Sequence, residues 1–196
     1  MNIKLNDVLE ALERKHYKVF EDPYELNIVG IRSADMTPNI FNDFLLLFWS
    51  TEDPFISYES KLYTITTDPG LYWLNNPSNI EGTAILFPGQ YDVYQIDKHR
   101  GKYDALCQRR GNVKVYRDDN KNNRYDADKT EEGMYGINIH KAGEESVKVD
   151  KWSAGCQVFR NSDDFHQFME LCQKHRAIHG NKFTYTLLTE VDLINV

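Results

Sequence analysis

The chain has 196 residues, of which 41% are hydrophobic, 27% charged and 13% aromatic, with 11 Gly and 6 Pro; this excludes disordered, collagen-like and low-complexity chains. Thirty Asp and Glu against 23 Lys and Arg leave a net charge of −7, and no Lys/Arg cluster is dense enough to track a phosphate backbone, so neither nucleic acid nor an anionic membrane surface is expected as a partner. At 23.0 kDa a globule buries roughly 70% of the surface its unfolded chain exposes, so a single domain over 1–196 is expected, with 1–59 as a helix-containing N-terminal segment and 60–196 as a β-rich core.

In chain order, Leu5, Val8, Leu9 and Leu12 fall at i, i+3, i+4 and i+7 and predict an amphipathic helix over 5–19. The stretch MNIKLNDVLEALERKHYKVF intersperses charges and lacks the apolar run of a secretory signal. The expectation is a protein made in the cytoplasm and released later. Tyr24 to Ile31 reads as a strand. Residues 36–49 end in Phe44-Leu45-Leu46-Leu47-Phe48-Trp49, a run that fits a buried strand or a buried helix and is far below the ~20 residues that span a bilayer, so no membrane insertion is expected. Over 60–117, segments 62–66, 84–87, 91–96, 103–108 and 113–116 carry β-branched and aromatic residues between turns at Pro88-Gly89, Gly101 and Gly111. Short strands at this spacing predict a mainly β (α+β) sandwich or barrel with flanking N-terminal and C-terminal helices. A polar loop follows from Arg117 to Gly133, then an alternating strand, Tyr135 to His140, with Ile137 and Ile139 on one face and Asn138 and His140 on the other. Ser162 then caps a helix ending near Gly180, and a strand over 183–188 closes the domain.

The cysteines at 107, 156 and 172 are odd in number and form no C-x-x-C, which suggests neither a disulfide framework nor a zinc site and leaves a reactive thiol open. Cys107 and Cys172 read as core. Cys156 is the informative one, because it follows Trp152-Ser153-Ala154-Gly155 and lies downstream of the strand-borne His140. A thiol needs a base to become a nucleophile, and an imidazole supplies it. Gly155 permits a tight turn whose amides can receive an oxyanion. On residue types alone, Cys156 is either this nucleophile or a small buried hydrophobe, and His140 either its base or a satisfied strand residue. Ser153 either positions a ligand or forms the turn, Asn138 either lines a cleft or sits on a solvated face, and Trp152 either walls the cleft or joins the core.

The segment Gly136-Ile137-Asn138-Ile139-His140, twelve residues, then Ser153-x-Gly155-Cys156 resembles the signature of the L,D-transpeptidase (YkuD-like) catalytic domain. Pro88-Gly89-Gln90-Tyr91 resembles the turn that enters a central strand in that family. Ala154 stands where the family has a second His, and Gln157-Val158 replaces its apolar residue followed by Asn or Arg. The resemblance covers about residues 84 to 160. It implies an L,D-transpeptidase-like β-sandwich or barrel in which Cys156 attacks the L,D peptide bond of a peptidoglycan stem with His140 as base. A thioester resolved by water or by an amine follows, with Ser153, Ala154, Gly155, Asn138 and Trp152 around the substrate and no cofactor or metal. The partners expected are stem peptides and a phage or contractile machine that releases the enzyme. The rival is a non-catalytic module that binds wall peptides or a protein on the same fold.

Two further patterns fall short of metal sites. Asp118, Asn120 and Asn122 have the 1, 3, 5 spacing of a calcium loop, but Asn123 replaces its Gly and Lys129 its Glu, so a solvated turn is expected over 118–128. His175 and His179 lie at i, i+4 without the Glu of a metalloprotease helix and are expected to complement the helix C-terminus.

Overall fold

The computed structural model describes residues 2–53, 55, 57–127 and 129–194. Its strands are β1 (Asn27–Arg32), β2 (Asp43–Trp49), β3 (Glu59–Thr66), β4 (Thr83–Leu86), β5 (Gly89–His99), β6 (Tyr103–Gln108), β7 (Val113–Asp118), β8 (Lys129–Gly133), β9 (Ile139–Lys141), β10 (Gln157–Phe159) and β11 (Phe183–Thr189), with helices α1 (Leu5–Arg14), α2 (Leu71–Asn75) and α3 (Ser162–His179). Eight strands close a barrel in the order β1-β11-β5-β6-β9-β10-β3-β2, and β4-β7-β8 form a separate small sheet. Among the named strands of the described residues, β1 with β11 and β9 with β10 run parallel and the other pairs are antiparallel. The mainly β expectation holds at this level.

The ambiguous run at 44–49 is strand β2. Its continuous apolarity follows from burial on both faces: Leu45 and Leu47 face the barrel core, while Leu46 and Phe48 lie under α1 with Val29, Ile31 and Leu188. Strands β1 and β2 are thus two staves of the barrel, although they lie within the 1–59 segment.

The first helix is shorter than expected. It stops at Arg14 because His16 takes φ 55°, and the His16 and Tyr17 amides return to the carbonyls of Glu13 and Leu12 at 2.9 Å each, the closing pattern for which glycine is the usual residue. Three other expectations change. The polar stretch 117–133 contains β8, which pairs with β7 from Val113↔Gly133 to Arg117↔Lys129. The strand expected over 135–140 begins only at Ile139, because Gly136 at φ 70° turns the chain. The cap of α3 is Asn161, whose Oδ1 accepts the Asp163 and Asp164 amides at 2.7 and 3.2 Å, and not Ser162. Helix α3 lays Phe165 and Phe168 against Phe159 and Tyr63, which backs β10 and the turn leading into it. Among the described residues no helix is long and apolar enough to cross a membrane.

Candidate active site

Parallel pairing of β9 with β10 sets Ile139 against Gln157 and His140 against Val158. That register lays Cys156 beside Asn138, and the Asn138 amide donates to Cys156 Sγ at 3.4 Å while the thiol donates to the Gly136 carbonyl at 3.5 Å. His140 lies two residues beyond Asn138, within β9. The turn that carries Cys156 is built by Ser153: its hydroxyl donates to the Cys156 carbonyl at 2.8 Å and accepts the Gly155 amide at 3.1 Å. Ser153 is therefore a turn former, and the Gly155 amide is committed to it and is no oxyanion donor. Gly155 sits at φ 116°, and a Cβ there would overlap the Ala84 carbonyl oxygen. Gln157 braces the same turn from inside the barrel, its Nε2 donating to the Gly155 carbonyl at 3.3 Å and its Oε1 accepting from Tyr185 Oη at 2.8 Å.

Cys156 is partly exposed at a cleft of about 420 Å³, which Ala154, Asn138, His99, Arg100, Arg109 and Arg117 help to line. Asn138 is buried, not on a solvated face: its Oδ1 accepts the Gln108 amide at 3.0 Å, so its Nδ2 is the group 3.1 Å from His99 Nδ1. That contact makes His99 Nδ1 an acceptor and leaves the ring proton on Nε2. His99 in turn stacks on His140, with ring centroids 4.1 Å apart and planes 23° apart. His140 is buried behind it, with Nδ1 2.9 Å from the Lys141 carbonyl, so that nitrogen carries the proton and Nε2 is the free acceptor. His140 is thus not itself a lining residue of the cleft; His99 is.

Electrostatics follow from burial. Desolvation lowers His140 to about 3, with His99 and Arg100 acting in the same sense, and lowers His99 to about 4. Burial pushes the Cys156 thiol up against the opposing effects of the Asn138 amide and Arg100. At neutral pH the site therefore holds a thiol and two neutral imidazoles, not a resting thiolate–imidazolium pair. Cys107 and Cys172 are buried with thiols pushed up, as expected of core residues.

Trp152 is 45% exposed and lies with Leu71 and Tyr72 in a separate depression; it neither walls this cleft nor joins the core. Trp73 takes the wall position. His179 stands in the last turn of α3, as expected, with its ring 2.9 Å from the Pro23 carbonyl, whereas His175 is engaged elsewhere, accepting the Leu26 amide at 3.1 Å and donating to the Lys182 carbonyl at 3.1 Å. Sequence reasoning also misses His99 and the three arginines. The available signal was His99-Arg100-Gly101, a His at the end of a strand followed by a tight turn.

Those arginines give the cleft its character. Arg109 is paired with Asp97 at 2.8 Å and Arg117 with Glu131 at 2.9 Å. Arg100 has φ 49° in the turn closed by the Lys102 amide on the His99 carbonyl, a left-handed conformation costing roughly 1–2 kcal/mol for a residue with a Cβ. Among the described residues no carboxylate pairs with Arg100, and no Asp or Glu lines the cleft, in a chain of net charge −7. Comparison of the chain with family models, with curated proteins and with solved structures finds no match.

Proposed function

We propose that the chain is a cysteine-dependent acyl-transfer enzyme acting on peptidoglycan stem peptides, with an L,D-transpeptidase-like catalytic domain. The observation that carries this reading is the Cys156 thiol, held on a turn that Ser153 ties together, in a cleft that His99 and three arginines also line, with His140 stacked on His99. Sγ attacks the carbonyl carbon of the L,D bond as its proton passes, through an intervening water, to His140 Nε2, the acceptor that the His99–His140 stack leaves free. The amine leaves with a proton, and a thioester remains on Cys156. Because thiol and imidazole are both neutral at rest, proton transfer accompanies attack and does not precede it. An anionic stem carboxylate matches the unpaired Arg100 guanidinium. Water resolves the thioester, regenerating the thiol and giving an acid, since Ala154 and Gln157 replace groups that sit beside the nucleophile in the family it resembles and could order an acceptor.

The test is incubation with a disaccharide-tetrapeptide, with and without excess D-amino acid, and identification of products by mass. A tripeptide that persists despite the acceptor supports hydrolysis, predominant exchange products replace hydrolysis by transpeptidation, and unchanged substrate refutes the enzyme reading. A binding module on the same fold is the second reading, favoured by the raised thiol; in that case the substrate is retained on the protein and recovered intact.

A further inference from the structure

The loop joining β7 to β8 is exposed over 119–124, as its composition predicts, but the residue that leads into it is not. Asp118, the last residue of β7, is 1% exposed. Its Oδ2 accepts the Asp126 amide at 3.1 Å, while its Oδ1, shielded from solvent, has no hydrogen-bond partner among the described residues. A buried carboxylate oxygen without a partner is costly unless a cation or a donor meets it. In the exposed loop that follows, Asn120 Nδ2 and Asn122 Nδ2 lie 2.6 and 3.0 Å from Asp126 Oδ2. The Oδ1 atoms of both asparagines each accept one loop amide, from Asn122 and Arg124, and keep a second lone pair.

Residues 118, 120, 122 and 126 stand at positions 1, 3, 5 and 9 of a calcium loop. The missing glycine at position 6 is no obstacle, because Asn123 itself adopts φ 64°. Lys129, at position 12, is drawn off to Asp119 at 2.7 Å. We propose that this loop binds a calcium ion through Asp118, Asn120, Asn122 and Asp126, with the position 7 peptide carbonyl and water completing the oxygen shell. Calcium suits this set better than magnesium, which demands a tighter octahedron than a loop of mixed amide and carboxylate oxygens offers. With two carboxylates and no bidentate Glu, affinity falls at the weak end, a Kd of about 10⁻⁴–10⁻³ M. The ion would stiffen the hairpin whose Arg117 lines the cleft and whose Tyr125 donates to the Pro69 carbonyl at 3.2 Å. The inference does not depend on what Cys156 does.

The test is calorimetric titration of the whole chelator-treated protein with calcium and, separately, magnesium. One saturable calcium site is expected, at least about 10-fold weaker for magnesium. Asn120→Ala, at an exposed position that does not threaten the core, and Asp126→Asn should each weaken calcium by at least about 10-fold, with circular dichroism confirming that both fold. Absence of saturable binding up to about 10 mM calcium, ten times the weakest expected Kd, overturns the proposal. So does equal affinity for magnesium, or calcium binding unchanged in both variants.

Discussion

The stacked imidazoles make a quantitative prediction about acid stability. An unfolded histidine titrates near 6.5, whereas His140 and His99 are held down to about 3 and about 4. As pH falls through 6.5 the unfolded chain takes up two protons that the folded chain refuses, so stability is fully present above 6.5 and is lost toward pH 4. Between pH 7 and pH 5 each imidazole loses about 1.4 units of linkage at 1.36 kcal/mol per unit, or about 2 kcal/mol, and the pair about 4 kcal/mol. Screening discounts this little, since the two side chains are only 3% and 6% exposed. Asp43 acts in the opposite sense, because burial and the neighbouring Asp68 raise it to about 7 and the folded chain gains a proton there as pH falls. The decisive quantity is therefore a difference of differences: urea unfolding at pH 7 and pH 5 of the parent, His99→Gln and His140→Gln. Each variant should show a pH-dependent loss smaller than that of the parent by about 2 kcal/mol, whatever its absolute stability. Equal pH dependence in all three proteins would refute the claim that the imidazoles are held neutral in the fold.

Cys156→Ala should lower turnover of the stem peptide by at least about 10³-fold, while Cys107→Ala and Cys172→Ala should keep it; wild-type-like turnover in the first variant sinks the nucleophile assignment. His140→Ala should slow alkylation of Cys156 near neutral pH, and superimposable rate–pH profiles would uncouple the two groups. Arg100→Gln should lower the ratio of iodoacetate to iodoacetamide reactivity at Cys156 by about 3- to 10-fold at low salt, as expected for loss of one unpaired positive charge near the thiol; an unchanged ratio would mean that this guanidinium does not act on the site. Gly155→Ala should destabilise the fold by about 3 kcal/mol or more, measured by denaturant unfolding, since a side chain at φ 116° would also meet the Ala84 carbonyl. A loss under about 1 kcal/mol would show that the turn can relax.

Much of the fold was legible because it rests on local patterning. The strands over 60–117, the amphipathic first helix and α3 follow from periodicity and turn residues, which report a residue's immediate surroundings. The tight turn before Cys156 is legible in the same way, from the glycine at 155. What local pattern could not decide was which faces would be covered. Leu45 and Leu46 alternate between the barrel core and the underside of α1, and only closure of the barrel makes both faces apolar. The polarity of Asn138 and His140 likewise pointed to a solvated face or a cleft, and the answer came from β6 and β9 meeting, which brings the Gln108 amide and His99 onto Asn138. His99 and Arg100 are separated by about 40 residues from His140 and more than 50 from Cys156, so no spacing in the chain announces them. Their place at the site comes from the barrel's order of strands, and the shifted titration of the two imidazoles comes from the burial that this order imposes.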